Sequence, residues 1–366
     1  MKLSQLPIQE LERTAGVVRA VTPNILEYNE TASLAQDIFA TYRRLINPRA
    51  QRLGERERES NAESYPILGR KGELGRLHVV YDTQATRLAL ELAEPEALKF
   101  YRLLRETRII RPDLMAIRQK MSGNLAETIA AIFWQIGAIK VSLGDLRPLF
   151  RVDRRNFSPI YIDVKGLSNY PEVNDFVLGA AALLVRNLEF DLVCGVEAGS
   201  IAIAAIIAQK LGRPMFFARR RRAYPEASLF EGIKPHELFR KKVLLVDDTL
   251  VRGWTKARIV QEIRKAGGRI DACFVIFDRQ EGGDEELERL GVRLYSLTNR
   301  EAALSEKIPR EISFLTDTEY QEVTDYFQDP RRWHERHGKK FHEIRPPESG
   351  QAPRPRANLL RPSAEN

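Results

Sequence analysis

Short apolar runs alternate with helical stretches from about residue 121 to residue 300, and this alternation constrains the fold more than any other feature of the chain. The runs are FDLVCG (190–195), PMFFA (214–218), KVLLVDD (242–248), DACFVIFD (271–278) and VRLYSL (292–297). Helical stretches between them end at glycine, as helix C-termini commonly do. Continuously apolar strands separated by amphipathic helices predict a parallel sheet with helices on both faces.

The same pattern divides the chain into three regions. Residues 1–120 are predicted to form a mixed, mainly helical region with a possible hairpin, because GELGRLHVVYD, from Gly72, reads as a strand. Four apolar residues of this region fall on one helical face: Leu34, Ile38, Tyr42 and Ile46. Residues 121–328 hold the alternating pattern. Residues 329–366 are predicted to be a basic, largely disordered tail, since they are rich in Pro, Ser and Arg and poor in apolar residues.

The net charge of +8 does not favour a nucleic-acid partner once its distribution is considered. Residues 331–366 hold nine Lys or Arg and four Asp or Glu, so the rest of the chain is nearly balanced. The run Arg219–Arg222 could contact a phosphate backbone, but no set of base-stacking aromatic residues accompanies it. Nucleic-acid binding is therefore the weakest of the functional alternatives.

Segment composition also predicts the compartment. No run of eighteen apolar residues exists, and the first twenty residues lack the apolar core of a signal peptide, so we expect no membrane association. Cys194 and Cys273 lie in apolar runs that read as buried strands, which argues against a disulfide framework. Together these features predict a cytoplasmic protein.

Two adjacent carboxylates, Asp247 and Asp248, end the apolar run that begins at Lys242. A loop with hydroxyl residues and one glycine follows them and leads into a helical stretch. The carboxylates can accept hydrogen bonds from ribose hydroxyls, while backbone N–H groups at a helix start can bind a phosphate. The string therefore favours a ribose 5-phosphate ligand. The alternative is that two acids merely end a strand and cap a helix.

Three segments, in order along the chain, carry a family resemblance. VLLVDDTLVRGWT (243–255) resembles the phosphoribosyl-diphosphate-binding motif of type I phosphoribosyltransferases. Its VRG is closest to the glutamine amidophosphoribosyltransferase version, but the glutaminase of that enzyme needs an N-terminal cysteine, and the first cysteine here is Cys194. SPIYIDVKGLSNYPEV (158–173) and FDRQEGG (277–283) instead resemble orotate phosphoribosyltransferase. The resemblance implies an α/β type I phosphoribosyltransferase fold, with a parallel-sheet core flanked by helices and a small hood.

The resemblance assigns 5-phosphoribosyl 1-diphosphate binding to three loops. A diphosphate-binding loop contains Gly195, Val196, Glu197, Ala198 and Gly199. The loop after the acid pair adds Asp247, Asp248, Thr249, Leu250, Val251, Arg252, Gly253, Trp254 and Thr255. A mobile catalytic loop, which in the family acts from the neighbouring subunit, contributes Arg219, Arg220, Arg222 and Tyr224. Here arginine replaces each lysine of the family's Arg-Lys-x-x-Lys pattern, so charge is kept but a proton donor is lost.

Catalytic, metal and base-binding roles follow from the same resemblance. The implied catalytic residues are Asp247, Asp248, Arg219 and Arg222, and the two acids would hold Mg²⁺ indirectly, through the ligand. The implied base-binding residues are Arg279, Val251, Arg151 and Tyr161. Two of these depart from the family: Val251 replaces a threonine, and Arg151 is only the nearest counterpart of a lysine. The run Arg252-Gly-Trp also replaces small residues around the glycine.

The resemblance implies transfer of phosphoribosyl to orotate with release of diphosphate, a step of pyrimidine nucleotide synthesis, by a homodimer with a shared active site. Two alternatives stay open at this point. The chain could use another base, or it could be a regulator or sensor that binds phosphoribosyl diphosphate without turnover. The arginines of the mobile loop and Val251 are the residues that favour these alternatives.

Overall fold

The structure is a computed structural model. It describes residues 18–22, 35–36, 38–40, 42–44, 46–59, 62–81, 86–92, 94–106, 114–121, 123–144, 148–152, 155–220 and 227–344. No described helix is both long enough and apolar enough to cross a lipid bilayer.

An antiparallel sheet of six strands forms the N-terminal region. The strands are β1 (Val18–Thr22), β2 (Ala50–Leu53), β3 (Glu57–Glu59), β4 (Ala62–Gly69), β5 (Gly72–Tyr81) and β6 (Thr86–Glu91). They lie in the order β1-β6-β5-β4-β2, and β3 also pairs with β4. Helix α1 (Glu94–Glu106) follows, and its Leu98 and Phe100 share one apolar core with Ile67 and Val79 of the sheet.

This sheet corrects the prediction of a mainly helical region, although β5 confirms the strand predicted from Gly72. Strand β6 is followed by a helix that begins at Glu94, with Pro95 in its first turn, because proline fits the first turn of a helix but not its interior. The described residues of 35–44 are helical and bury Ile38 and Tyr42, as predicted, whereas Leu34 lies outside the described residues.

Helices and two small sheets connect this region to the central sheet. The helices are α2 (Leu114–Lys120) and α3 (Leu125–Gln135). The small strands are β7 (Ile139–Val141), β8 (Phe150–Arg151), β9 (Phe157–Ser158) and β10 (Ile160–Ile162). Strand β7 pairs with β10, and β8 pairs with β9, both antiparallel. A 3₁₀ helix (Val164–Asn169) and α4 (Pro171–Val185) follow. These small sheets correspond to the expected hood.

The central sheet confirms the α/β prediction. Its strands are β11 (Leu192–Val196), β12 (Met215–Ala218), β13 (Phe230–Glu231), β14 (Lys242–Leu250), β15 (Arg269–Asp278) and β16 (Arg293–Asn299). They lie in the order β13-β12-β11-β14-β15-β16, and every neighbouring pair is parallel except β12 with β13. Helices α5 (Ile201–Leu211), α6 (Trp254–Lys265) and α7 (Gly283–Glu288) cover it. Leu244 and Val246 face one core, while Val243 and Leu245 face the other.

The end of the C-terminal segment packs against the hood. It forms α8 (Arg300–Ala303), α9 (Arg310–Ser313), α10 (Asp317–Gln328) and α11 (Pro330–Arg336). The stretch YQEVTDYFQDPRRWHERHG (320–338) predicts a last helix packed against the domain, and α10, α11 and the buried Trp333 and His334 confirm this packing. The predicted tail, which begins at residue 329, therefore starts with ordered residues. The Nε2 atom of His334 accepts a hydrogen bond from the Phe157 N–H at 2.9 Å. Residues 345–366 lie outside the described residues.

A buried ion pair joins the N-terminal region to the C-terminal segment. Arg102 of α1 donates to both carboxylate oxygens of Glu319 in α10, at 2.8 and 2.5 Å. It also donates to the Phe314 carbonyl at 3.3 Å. Burial would raise the pKa of Glu319, but the Arg102 guanidinium and the Thr316 hydrogen bonds lower it below its usual range. The carboxylate therefore stays ionised inside the fold.

We expect Arg102→Met to destabilise the protein by about 3–5 kcal/mol, because it leaves the Glu319 charge buried without its cation. The matched control is Arg289→Met, which removes an exposed pair with Glu286 and should cost less than about 1 kcal/mol. Urea unfolding of both variants measures the difference. Equal losses would contradict a structural role for the buried pair.

Candidate active site

The acid pair lies at the carboxyl end of β14, in the middle of the central sheet. Lys256, in the first turn of α6, donates from Nζ to Asp247 Oδ2 at 2.5 Å and to the Thr249 carbonyl at 2.8 Å. The other oxygen of Asp247 accepts the Asp248 N–H at 2.9 Å. Burial alone would raise the pKa of Asp247, but the Lys256 ammonium and this hydrogen bond hold it below its usual range. Asp247 is thus a fixed, fully partnered anion.

Asp248 has the opposite electrostatic character. Burial, followed by the charge of Asp247, raises the pKa of Asp248 to about 6. The Lys256 and Lys165 ammonium groups offset only part of this effect. The two adjacent acids are therefore divided in role: Asp247 is neutralised by Lys256, and Asp248 is the carboxylate left to accept a hydrogen bond from a ligand.

The loop after the acids presents the start of α6. Gly253 precedes this helix with φ +73°, and a Cβ there would lie 2.9 Å from the Gly283 carbonyl oxygen, so only glycine fits. The first N–H groups of a helix lack carbonyl partners within it and carry its positive dipole. This twelve-residue helix therefore offers an anion site a few residues beyond Asp248. The Arg252 guanidinium lies 5.8 Å from the Trp254 ring centroid beside this site.

The predicted diphosphate loop comes next to the acid pair. Glu197 is held by its N–H, which donates to the Ala218 carbonyl at 2.9 Å, and the Glu197–Ala198 peptide is cis. An added methyl group at Gly199 would overlap both Asp248 Oδ2 and Lys165 Cε. The structure therefore brings the two predicted loops, separated by about fifty residues of sequence, into contact at Gly199.

Only part of the predicted arginine loop is described. Arg220 donates its backbone N–H to Glu197 Oε2 at 3.0 Å, and its charge helps to lower the pKa of Asp247 after that of Lys256. Arg220 thus reaches the acid pair within one chain. Arg219 instead donates to Glu231 Oε1 at 2.7 Å. Arg222 and Tyr224 lie outside the described residues.

Arg279 lies behind the loop that follows the acid pair. Its backbone N–H donates to the Leu250 carbonyl at 2.9 Å, which fixes it to the loop that contains Val251. Its Nε donates to Glu281 at 2.6 Å, and its side chain is 6% exposed. Among the described residues, its Nη2 atom has no hydrogen-bond partner. The Phe327 ring of α10 lies 5.8 Å from its guanidinium carbon.

The other two predicted base-binding residues lie in the hood. Tyr161 stacks on Phe150 with ring centroids 5.6 Å apart, and Lys140 Nζ lies 6.0 Å from the Tyr161 ring centroid. Arg151 is exposed, and its guanidinium lies 5.1 Å from the Phe157 ring centroid. These contacts place both residues on the small hood sheets, whereas Val251 and Arg279 lie in the loops after β14 and β15.

Sequence reasoning missed Lys256, Lys165 and Tyr326. Lys256 does leave a signal, since it shares the buried face of α6 with apolar residues such as Val260 and Ile263. A lysine on an apolar helical face implies a buried acid partner. Lys165 leaves no such signal. Tyr326 comes from α10, and burial beside Glu281 raises its pKa to about 12, which no local pattern reveals.

Comparison with known proteins locates the similarity. The phosphoribosyl transferase domain family matches residues 167–290. Orotate phosphoribosyltransferase of Sulfolobus acidocaldarius is 33% identical over 178 residues, which cover 48% of this chain and 87% of that protein. Orotate phosphoribosyltransferase of Saccharolobus solfataricus is 34% identical over 170 residues, which cover 46% of this chain and 84% of that protein. A solved structure of orotate phosphoribosyltransferase from Aeropyrum pernix is 27% identical, covers 48% of this chain and 96% of that chain, and has a TM-score of 0.42.

Opposite stability effects are expected from the same substitution at the two acids. Asp247→Asn should destabilise the protein by about 3–5 kcal/mol, because Lys256 loses its buried anion. Asp248→Asn should stabilise it at pH 7 by about 1–3 kcal/mol, since its pKa rises on folding and its charge is costly above pH 6.

Denaturant unfolding at several pH values checks both effects. The gain from Asp248→Asn should fall as the pH drops below about 6 and vanish at about pH 3, below the ordinary value of 3.8, where the wild-type carboxyl is protonated in both states. Destabilisation by Asp248→Asn at pH 7 would contradict the division of roles between the acids.

Proposed function

Because the chain belongs to the orotate phosphoribosyltransferase family, within the type I phosphoribosyltransferases, we propose that it transfers phosphoribosyl from phosphoribosyl diphosphate to orotate. The chain is a glycosyltransferase enzyme, and the proposed products are orotidylate and diphosphate. The observation that supports this most directly is the contact at Gly199 between the diphosphate loop and Asp248. Phosphoribosyl diphosphate carries a diphosphate, a ribose and a 5-phosphate. These groups match the diphosphate loop, Asp248 and the start of α6, respectively.

The proposed binding mode divides the ligand among these features. Asp248 accepts a hydrogen bond from a ribose hydroxyl. Asp247 positions Asp248 by accepting its backbone N–H, while Lys256 holds Asp247. The N–H groups at the start of α6 bind the 5-phosphate. Backbone groups of the loop from Gly195 to Gly199 hold the diphosphate. The site holds the sugar while the C1–oxygen bond weakens and the base nitrogen attacks.

Mg²⁺ belongs to the proposal as an ion held mainly by the ligand. Asp247 is already partnered by Lys256, so Asp248 is the carboxylate oxygen donor that the acid pair leaves for the ligand and its ion. This single carboxylate would suit Mg²⁺ held mainly by the ligand, because Mg²⁺ prefers oxygen donors and uses few protein carboxylates. When bound, the ion neutralises charge on the leaving diphosphate.

The arginine loop supplies the remaining positive charge in this proposal. Arg219, Arg220, Arg222 and Tyr224 would approach the diphosphate when the loop closes. Guanidinium groups stay protonated, so they stabilise the departing anion without donating a proton to it. For Arg219, closure requires exchange of its Glu231 partner for the ligand.

Orotate is the proposed acceptor because Arg279, a buried arginine beside the loop after the acid pair, suits a carboxylate. Arg279 has one unpartnered nitrogen among the described residues and would pair with the orotate carboxylate. Val251, Tyr161 and Arg151 would line the remainder of the base site. Glu281 already accepts a hydrogen bond from Arg279 Nε. This contact favours a second candidate function, a sensor that binds phosphoribosyl diphosphate without turnover.

We expect diphosphate release from phosphoribosyl diphosphate and Mg²⁺ with orotate, and far less with uracil, adenine, guanine or hypoxanthine, which lack the carboxylate. Asp248→Asn should lower this rate by about 100-fold or more, because a pre-oriented acceptor for ribose is lost. A coupled assay for diphosphate measures both. Diphosphate release with another base would show that orotate is not the acceptor. Absence of diphosphate release with all five bases would favour the sensor.

A shared active site in a homodimer predicts complementation. A mixture of Asp248→Ala and Arg222→Ala chains, refolded together, should recover about a quarter of wild-type activity, because half of the dimers contain one intact site. Each variant alone is the control. Absence of recovery in a verified heterodimer would contradict action of the loop across subunits.

A further inference from the structure

Lys165 is a cation at the junction of the two ligand loops to which no role has been assigned. It lies in the 3₁₀ helix Val164–Asn169, which follows the hood strand β10 and contacts β14. Its Cε atom occupies the space that a side chain at Gly199 would need. Glycine at this position of the diphosphate loop therefore gives the lysine stem room to reach the site.

Charge and hydrogen bonding at Lys165 differ from those of the other lysines nearby. Lys256 has two acceptors, and Lys140 pairs with Asp163 at 3.0 Å. The Nζ atom of Lys165 makes no hydrogen bond or ion pair with the described residues, and the side chain is exposed. Its charge nevertheless reaches Asp248, whose pKa it lowers against the larger effect of burial. An ammonium group this close to the acid, yet unpaired, is available to a ligand.

We propose that Lys165 binds the diphosphate group of phosphoribosyl diphosphate from within the same chain, next to the Gly199 backbone. This inference rests on the proposed function and adds a ligand-contacting residue to it. The position decides which half of the ligand is involved. Asp248 faces the ribose in the proposed mode, and Gly199 belongs to the diphosphate loop, so an ammonium between them lies at the diphosphate end. Its three N–H donors suit phosphate oxygens.

Calorimetry with three probes in Mg²⁺ tests this role: phosphoribosyl diphosphate, inorganic diphosphate and ribose 5-phosphate. Lys165→Met should weaken binding of the first two by about 10- to 100-fold, the usual effect of one charged hydrogen bond. Binding of ribose 5-phosphate should change by less than about threefold, since it lacks the group that Lys165 contacts. Lys165→Arg should keep most of the affinity.

Lys210→Met is the matched control, because Lys210 pairs with Asp175 on the surface of α5 and should leave all three affinities unchanged. Unchanged diphosphate binding in Lys165→Met would overturn the inference while leaving the proposed function intact. Equal weakening of ribose 5-phosphate would also overturn it, since Lys165 would then act through Asp248. Failure of the wild-type protein to bind phosphoribosyl diphosphate would instead overturn the proposed function.

Discussion

The buried ion pair between Lys256 and Asp247 is the interaction on which the site depends. Two carboxylates in sequence at the end of a buried strand repel each other, and burial penalises both charges. Lys256 decides which one has the lower pKa, because it contacts Asp247 directly and leaves Asp248 with a raised pKa. The same contact ties the first turn of α6 to β14. One cation therefore fixes the relative position of the acids and the helix start.

The edge of the site was predictable from sequence because its determinants are local. Asp247 follows one apolar strand and the Gly195 loop follows another, so both are expected at the carboxyl edge of a parallel sheet. The structure confirms this placement, because β11 and β14 are parallel neighbours. Lys256 was recognisable only as a charge on an apolar helical face. Lys165 and Tyr326 were not predictable, because each reaches the site from an element whose packing no local pattern specifies.

Distant packing also explains where the sequence-based fold was wrong. The N-terminal sheet depends on strand partners that periodicity does not reveal, and its core includes Phe314 from the far end of the chain. Helix α10 connects this core to the site region: Glu319 near its start holds Arg102, and Tyr326 and Phe327 near its end lie beside Arg279. Helix α10 therefore connects the core of the N-terminal region to Arg279, one of the residues proposed to bind the base.

Direct binding of the activated sugar is the central claim, and calorimetric titration with phosphoribosyl diphosphate and Mg²⁺ tests it before any question of acceptor arises. The account predicts saturable binding at one site per chain for the wild-type protein and none for a chain with alanine at both Asp247 and Asp248. No heat of binding in the wild type, or the same binding in the doubly substituted chain, would contradict it.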